Sequence, residues 1–510
     1  MSSTSSAGNR SDVSRPVAGT GALVASGTVL LLLQSGGTKF ILLLGQIVLA
    51  WLLSPEDFGQ IAMAYTVTTF VALLVNPGID VILVRRGRRF HLWSTPAFFF
   101  SLSTGLLGSV VILAVAPSIA EAYDTPQLIG LLAVLAFATP FGSLSLVPRA
   151  KLRAQMRFKA LAAVNLFQSV VQTVLTLAFA AAGFGVFSFV LPVPLVYMAV
   201  AAVSWAAARP VVRFRSPFRH WKYLIGDSAY IFGQYFLQTI VSQGDYIILG
   251  TLFGDTVLGP YFFAYGIAKQ AIQLTAGSIQ TALMAGLARM PTFSDQQTRA
   301  ALRATNGLAL IGIPLCLIQA AVARPFLVGL YGDKWVEAIP LVQLISVGMA
   351  FDVAAWAACS LLQSRGEFRF LFVWSVVCVP FFIAFIFVGA VYGQSQGVAT
   401  ALCMFNTIFP PMLVCWIFHT SHIPWGEILR IYTRPFLTGL LSAGASAVAI
   451  RLSAVIGFPP LLQCGLAIGT GLTIMGITAS FIAPATWIEI VTKLQGLIPP
   501  LLLARRRSED

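Results

Sequence analysis

The chain has 510 residues, 57% of them hydrophobic and only 10% charged, where a soluble globular protein carries about 25% charged residues. With a mean hydropathy of +0.85, a water-soluble fold would lack polar surface and a disordered chain would hold far fewer apolar residues, so both are excluded. The net charge of +14 reads, in so apolar a chain, as basic loops beside a membrane rather than as a nucleic-acid surface, and the continuous apolar stretches exclude a β-barrel.

In chain order, residues 1–18 are polar and Ser-rich and read as a disordered tail. Fourteen apolar spans follow, at about 21–52, 58–76, 92–116, 127–147, 160–182, 184–208, 223–252, 257–288, 304–323, 338–362, 370–390, 396–418, 435–455 and 460–483. Polar, Gly- or Pro-marked turns separate them, such as Ser54-Pro55-Glu56-Asp57 and Tyr392-Gly393-Gln394-Ser395. The first span carries Thr28, Ser35, Lys39 and Gln46, spaced 7, 4 and 7, so that they share one helix face. Span 5 offers Asn165, Gln168 and Gln172 at i, i+3 and i+7. Span 7 repeats the 7, 4, 7 spacing with Asp227, Gln234, Gln238 and Asp245. Span 8 presents Lys269, Gln273 and Gln280, and span 10 holds Asp352 without an evident partner on its own helix.

An ionisable group at mid-bilayer costs about 2.5–3.5 kcal/mol on the insertion scale, so these charges mark function unless they sit at an interface. Asp227 is near enough to a span end for an interfacial role. Lys39 and Asp245 could equally form an interhelical pair, and membrane amides often serve only as glue between helices. The sharper reading gives these groups a substrate: ammonium groups suit an anion, amides suit hydroxyl groups, and buried carboxylates suit a cation.

Topology follows from the basic residues. With both termini on one side, that side holds 27 Lys and Arg, and the other holds only Arg324, Lys334 and Arg451. Such a bias places both termini in the cytoplasm. The clusters at Arg85–Arg89, Arg149–Lys159 and Arg209–Lys222 anchor that topology or recruit lipid headgroups and an anionic substrate. The six cysteines all lie in apolar stretches without a CxxC pair and read as small hydrophobes; His419 and His422, three apart at a span end, read as interfacial rather than as metal ligands. No nucleotide loop, ATPase motif or HExxH is present, so neither cofactor nor metal is expected.

Residues 45–67 match 245–267 at an offset of 200 through Ile47/Ile247, Leu49/Leu249, Leu52/Leu252, Gly59/Gly259, Ala64/Ala264 and Tyr65/Tyr265. Six spans fit that offset, so two parallel repeats are expected. The predicted architecture is an all-α polytopic membrane protein of about 14 transmembrane helices. It comprises a six-helix half over 19–208, a basic linker over 209–222, a second half over 223–420, two added helices over 421–483 and a tail over 484–510.

The same stretches carry a resemblance. Leu52-Leu53-Ser54-Pro55-Glu56-Asp57-Phe58-Gly59, Asn76-Pro77-Gly78-Ile79 with Arg85, the set Asp245, Gly250, Gly254, Leu258-Gly259, Tyr261 and Ala264-Tyr265, and Leu330-Tyr331-Gly332-Asp333-Lys334-Trp335 with Pro340-Leu341 occur in that order. Together they resemble the bacterial polysaccharide flippases of the multidrug/oligosaccharidyl-lipid/polysaccharide exporter superfamily. Trp51 departs from the Arg often found there. The resemblance implies movement of polyprenyl-diphosphate-linked oligosaccharide across the bacterial inner membrane for exopolysaccharide, capsule or O-antigen, with Lys39 and Lys269 meeting the diphosphate, the amides meeting sugar hydroxyls, and the energy coming either from the membrane potential or from ion antiport through Asp245 or Asp352. Membrane lipids, a polymerase and export machinery are the implied partners. The competing readings are an ion-coupled drug exporter, which the two deep lysines disfavour, and a membrane polymerase, which the short outer loops disfavour.

Overall fold

The computed structural model describes residues 37–75, 90–210, 221–273 and 290–497, except positions 40 and 156, together with isolated residues at 83, 212, 283, 286 and 287. Thr28, Ser35, the Asn76–Ile79 motif, the Arg85–Arg89 cluster, most of the 209–222 linker, Gln280 and both chain ends lie outside the described residues, as does the side chain of Asp227. The described chain is helical throughout, with no strand among the described residues.

Helix α1 covers Gly37–Leu52 and α2 covers Pro55–Val75. Between them, the Ser54 hydroxyl accepts from the Asp57 backbone N–H (3.2 Å), and the Asp57 carboxylate accepts from that of Ser54 (2.8 Å). This reciprocal cap, with Pro55 in the first helical position, explains why Ser-Pro-Glu-Asp both ends one helix and starts the next. Then follow α3 Phe90–Ala122, α4 Gln127–Leu144, α5 Leu146–Ala154, α6 Phe158–Ala181, α7 Phe187–Val190 and α8 Pro192–Ala208. The Gly183-Phe184-Gly185 divide is real: both glycines have positive φ, 83° and 53°, a region open to residues without a Cβ.

After the linker come α9 Trp221–Ile272, α10 Asp295–Tyr331, a 3-10 turn over Gly332–Trp335, α11 Ala338–Arg365, α12 Phe368–Thr420, α13 Trp425–Val455, α14 Pro460–Ile482 and α15 Pro484–Leu497. Two of these are broken. In α9, Gly254 has φ 74° and ψ −166°. The Tyr246 ring lies 5.9 Å from Tyr261 and 5.6 Å from Tyr265; in a straight helix, a residue nineteen positions on would be about 28 Å away. In α12, Gly393 and Gln394 leave helical geometry. A Cβ on Gly389 would fall 2.4 Å from the Gly397 carbonyl oxygen, and one on Gly397 would fall 2.0 Å from that of Gly389. Each of these helices is therefore a hairpin of two limbs.

Ten described helices are long and apolar enough to cross a membrane. Of the fourteen expected spans, 7–8 and 11–12 fall on the two limbs of the broken helices α9 and α12, and spans 1 and 2 fall on α1 and α2, parts of which lie outside the described residues. The expected tail also changes: residues 484–497 form α15, whose Trp487 and Ile490 pack against Leu310, Ala479 and Ala483.

Helix α10 opens with a second reciprocal cap, in which Ser294 accepts from Gln297 N–H (3.1 Å) and Gln297 Oε1 accepts from Phe293 N–H (3.1 Å). One hydrophobic core runs through α1, α2, α9, α10, α11 and α12. Helices α13 and α14 pack beside α10, using small residues where backbones approach: Gly439 lies against Pro314 and Leu317, and the Ser446 hydroxyl donates to the Ala467 carbonyl (2.8 Å). The cysteines are free thiols, with Cys316, Cys378 and Cys464 buried, as expected of small hydrophobes.

Candidate functional site

The offset of 200 appears as a physical contact. A Cβ on Gly59 would lie 2.2 Å from the Asp255 carbonyl oxygen, and one on Gly259 would lie 1.9 Å from that of Pro55. The matched glycines thus let α2 and α9 touch backbone to backbone, each against the other's opening turn. Gln60 seals the crossing by donating to Asp255 Oδ2 (2.9 Å). Further along, Thr66 Oγ1 bonds Gln243 Oε1 (3.2 Å), and Phe70 packs edge-on against Phe236 (5.9 Å).

Beside this crossing, α1 runs antiparallel to the second limb of α9. Lys39 donates to the Gln273 carbonyl. Seven residues on, the Gln46 amide lies where a Cβ on Gly266 would fall, 2.5 Å from Gln46 Nε2. Lys269 stands between Gly266 and Gln273 on that same helix face. Lys39 and Gln46 of α1 thus lie along the stretch of α9 that carries Lys269 and Gln273.

Lys269 is the centre of charge. Its ammonium lies 5.7 Å from the Tyr265 ring centroid and acts electrostatically on both Asp245 and Asp352. Asp245 is buried: Tyr261 Oη donates to Oδ2 (2.7 Å), and the Tyr246 backbone N–H donates to Oδ1 (3.0 Å). Asp352 accepts from Trp356 Nε1 (2.8 Å). The expectation that Asp352 lacks a partner on its own helix is thus corrected, and the i+4 indole was there to be read. Lys39 and Asp245 do not form the pair considered for them, because Asp245 turns into the tyrosine cluster and Lys39 toward Gln273.

The span 7 stripe divides. Asp245 is buried, Gln234 half-buried and Gln238 exposed. The span 5 amides go elsewhere. Gln168 Oε1 and Asn165 Oδ1 accept from the two terminal nitrogens of Arg149, and Gln172 reaches Thr176 Oγ1 (3.4 Å). Arg149 was missed as a site residue because it sits just past an apolar span. In the structure it belongs to α5 and turns toward α6. Helix α6 still borders the seam through Thr173, against which Gly45 packs.

At the end of the helices opposite the basic loops, the two parts of the chain are latched. Lys334 donates to the carbonyls of Ala50 (3.0 Å) and Trp51 (3.1 Å), and Trp335 Nε1 also donates to Ala50 (3.1 Å). A cation there meets the negative end of the α1 dipole. Trp51 Nε1 donates to the Leu330 carbonyl (2.7 Å). Phe58, Phe263 and Trp335, all buried, pack together, with Phe263 and Trp335 stacked at 3.9 Å and Phe58 edge-on to Trp335 at 5.2 Å.

Residues 48–340 match the polysaccharide biosynthesis protein family. The succinoglycan biosynthesis transport protein ExoT of Rhizobium meliloti is 22% identical over 396 residues, covering 78% of this chain and 80% of that protein. The lipopolysaccharide biosynthesis protein WzxC of Escherichia coli is 22% identical over 383 residues, covering 71% and 74%. Among solved structures, the lipid II flippase MurJ in an inward closed conformation superposes with a TM-score of 0.68 at 13% identity, covering 90% of this chain and 98% of that one. An inward-facing multidrug resistance MATE family transporter of the MOP superfamily gives 0.59 at 13% identity, covering 77% and 98%. The all-helical fold is shared with both, and the chain belongs to the polysaccharide biosynthesis protein family.

Proposed function

We propose that this protein is a flippase. It moves polyprenyl-diphosphate-linked oligosaccharide repeat units across the bacterial inner membrane by alternating access, handing them to a polymerase and export machinery. The observation that carries this reading is the seam between α1 and the second limb of α9, where Lys39 and Gln46 of one helix lie along the stretch that bears Lys269 and Gln273 on the other. Two ammonium groups match a diphosphate, and amides match sugar hydroxyls. The transport names of the relatives support it. Both termini lie in the cytoplasm, on the side of the basic loops, and the latch of Lys334 and Trp335 closes the outer side. Residues 19–208 and 223–420 act as the two halves that rock against each other. Lys39, Gln46, Lys269 and Gln273 contact the diphosphate and first sugar, and Gln280 is assigned to the same substrate. Asn165, Gln168, Gln172, Gln234 and Gln238 contact later sugars. Asp245 and Asp352 bind the coupling ion beside Lys269. The chain performs no covalent chemistry in this reading.

The test is polymer export per inserted molecule. Lys39→Ala is expected to lower export at least tenfold with normal membrane abundance, and Lys39→Arg to retain part of it, because the charge stays while the geometry changes. Wild-type export from a Lys39→Ala/Lys269→Ala double variant at matched abundance would remove the lysines from the mechanism.

A further inference from the structure

A cavity of about 220 Å³ opens at the basic face between α10, α13 and the turn from α14 into α15, lined by Asn306, Glu427, Arg430, Arg434, Ala483 and Thr486 among others. It lies apart from the seam of α1 and α9. Two guanidinium groups against one carboxylate leave its wall cationic. Arg430 and Arg434 are four residues apart on one exposed helix face, so both present their donors to the same space. On α10, Asn306 is the third of a series, Arg299, Arg303 and Asn306, spaced four and three, which carries two more arginines along the face below it.

The level of the cavity is marked by tryptophan. Trp425 opens α13 two residues before Glu427, exposed and stacked on His419 (4.7 Å). Trp487 follows Thr486 directly and packs on the core side of α15, while Ile488 is exposed. Tryptophan gathers at the height of lipid headgroups, and a short helix with apolar residues on this rim suits the plane of the interface. A water takes about 30 Å³, so the space corresponds to roughly seven waters, enough for a phosphate with its glycerol.

We infer that this cavity binds the phosphodiester headgroup of an anionic phospholipid. Arg430 and Arg434 hold the phosphate oxygens, and Asn306 and Thr486 hydrogen-bond the glycerol. Glu427, one turn before Arg430 on the same helix, lines the same cavity, and a phosphodiester there offers both guanidinium groups an anionic partner. The inference does not rest on the transport reading.

The experiment measures lipid retention by the full chain in micelles, by native mass spectrometry, with phosphatidylglycerol, phosphatidylcholine and inorganic phosphate as probes. Wild type is expected to retain phosphatidylglycerol over phosphatidylcholine. Arg430→Gln/Arg434→Gln is expected to weaken phosphatidylglycerol about tenfold or more, since each basic group near a surface contributes about a factor of five. Arg430→Lys/Arg434→Lys falls between, and Arg451→Gln, exposed at the opposite end of α13, leaves binding unchanged. Equal retention of the two lipids by wild type overturns the proposal, as does undiminished phosphatidylglycerol on the double Gln variant. If inorganic phosphate alone displaces phosphatidylglycerol at millimolar concentration and gives the same thermal stabilisation, the site takes free phosphate and the lipid assignment fails. Should the Gln variant not fold, the wild-type lipid preference and the Lys variant decide.

Discussion

Lys269 faces two carboxylates, and its worth to the fold differs from its worth to a substrate. The carboxylates take their hydrogen bonds from Tyr261, Tyr246 and Trp356, so the ammonium acts on them through space, an effect on the order of 1 kcal/mol. Lys269→Ala is therefore expected to lower the thermal midpoint in micelles, and Lys269→Ala/Asp245→Asn to recover part of that loss. A coupling of about 1 kcal/mol in the double-mutant cycle is the expected result; strictly additive losses would mean that Lys269 and Asp245 do not sense each other. Tyr261→Phe, which removes the 2.7 Å bond to Asp245, is expected to cost about 1.5–3 kcal/mol on the same assay. At this scale the sequence was a partial guide. Spacing placed Lys39 and Gln46 on one face, and their contacts with α9 bear that out. It could not show that a guanidinium from α5 would take the amides of α6, because that pairing depends on how two helices cross. The indole of Trp356 beside Asp352 was within reach of an i+4 search.

Helix ends and breaks were the most legible elements. Ser54 and Asp57 announce a reciprocal cap, and Gly393-Gln394 a reversal, because local chemistry determines both. Helix α15 was not legible as a helix: its apolar residues are too few for a span, and its order comes from packing on Leu310 and Ala483. The repeat predicted homologous positions but not that they would touch. That contact yields a test. In both Gly59→Ala and Gly259→Ala the new Cβ meets backbone rather than a movable side chain, so α2 and α9 must separate. Each is expected to cost about 1–3 kcal/mol, read as a lower thermal midpoint. The pair should cost less than the two singles together, since one separation relieves both. Gly426→Ala, with nothing within 4 Å, is the neutral control. A midpoint for Gly59→Ala and Gly259→Ala equal to that of Gly426→Ala would mean that the crossing is loose.

For the whole molecule, composition and charge bias were enough to name the class, because a bilayer leaves a chain this apolar few other solutions. The conformational state was not in the sequence. On the face away from the basic loops, Lys334 and Trp335 close over the end of α1, and in the transport cycle proposed above these contacts would help to keep that face shut. Charge at a helix C-terminus contributes about 0.3–1 kcal/mol when exposed and up to about 2 when partly buried, which corresponds to roughly a two- to thirtyfold shift in a two-state equilibrium. Lys334→Ala should therefore raise the fraction of molecules open on that face without unfolding them. Trp335→Phe, which keeps an aromatic ring in the cluster and loses only the bond to Ala50, should shift it in the same direction by less. The reporter is a cysteine at position 50, in a background without the six native cysteines; Ala50 is buried at 0% exposure, so the reporter should react slowly with a membrane-impermeant thiol reagent while the latch is shut. Lys334→Ala is expected to speed that reaction several-fold, and substrate that binds one state better should change the rate again. An unchanged rate with Lys334→Ala would mean that the aromatic packing of Phe58, Phe263 and Trp335 alone holds the face closed, with the lysine only resting on it.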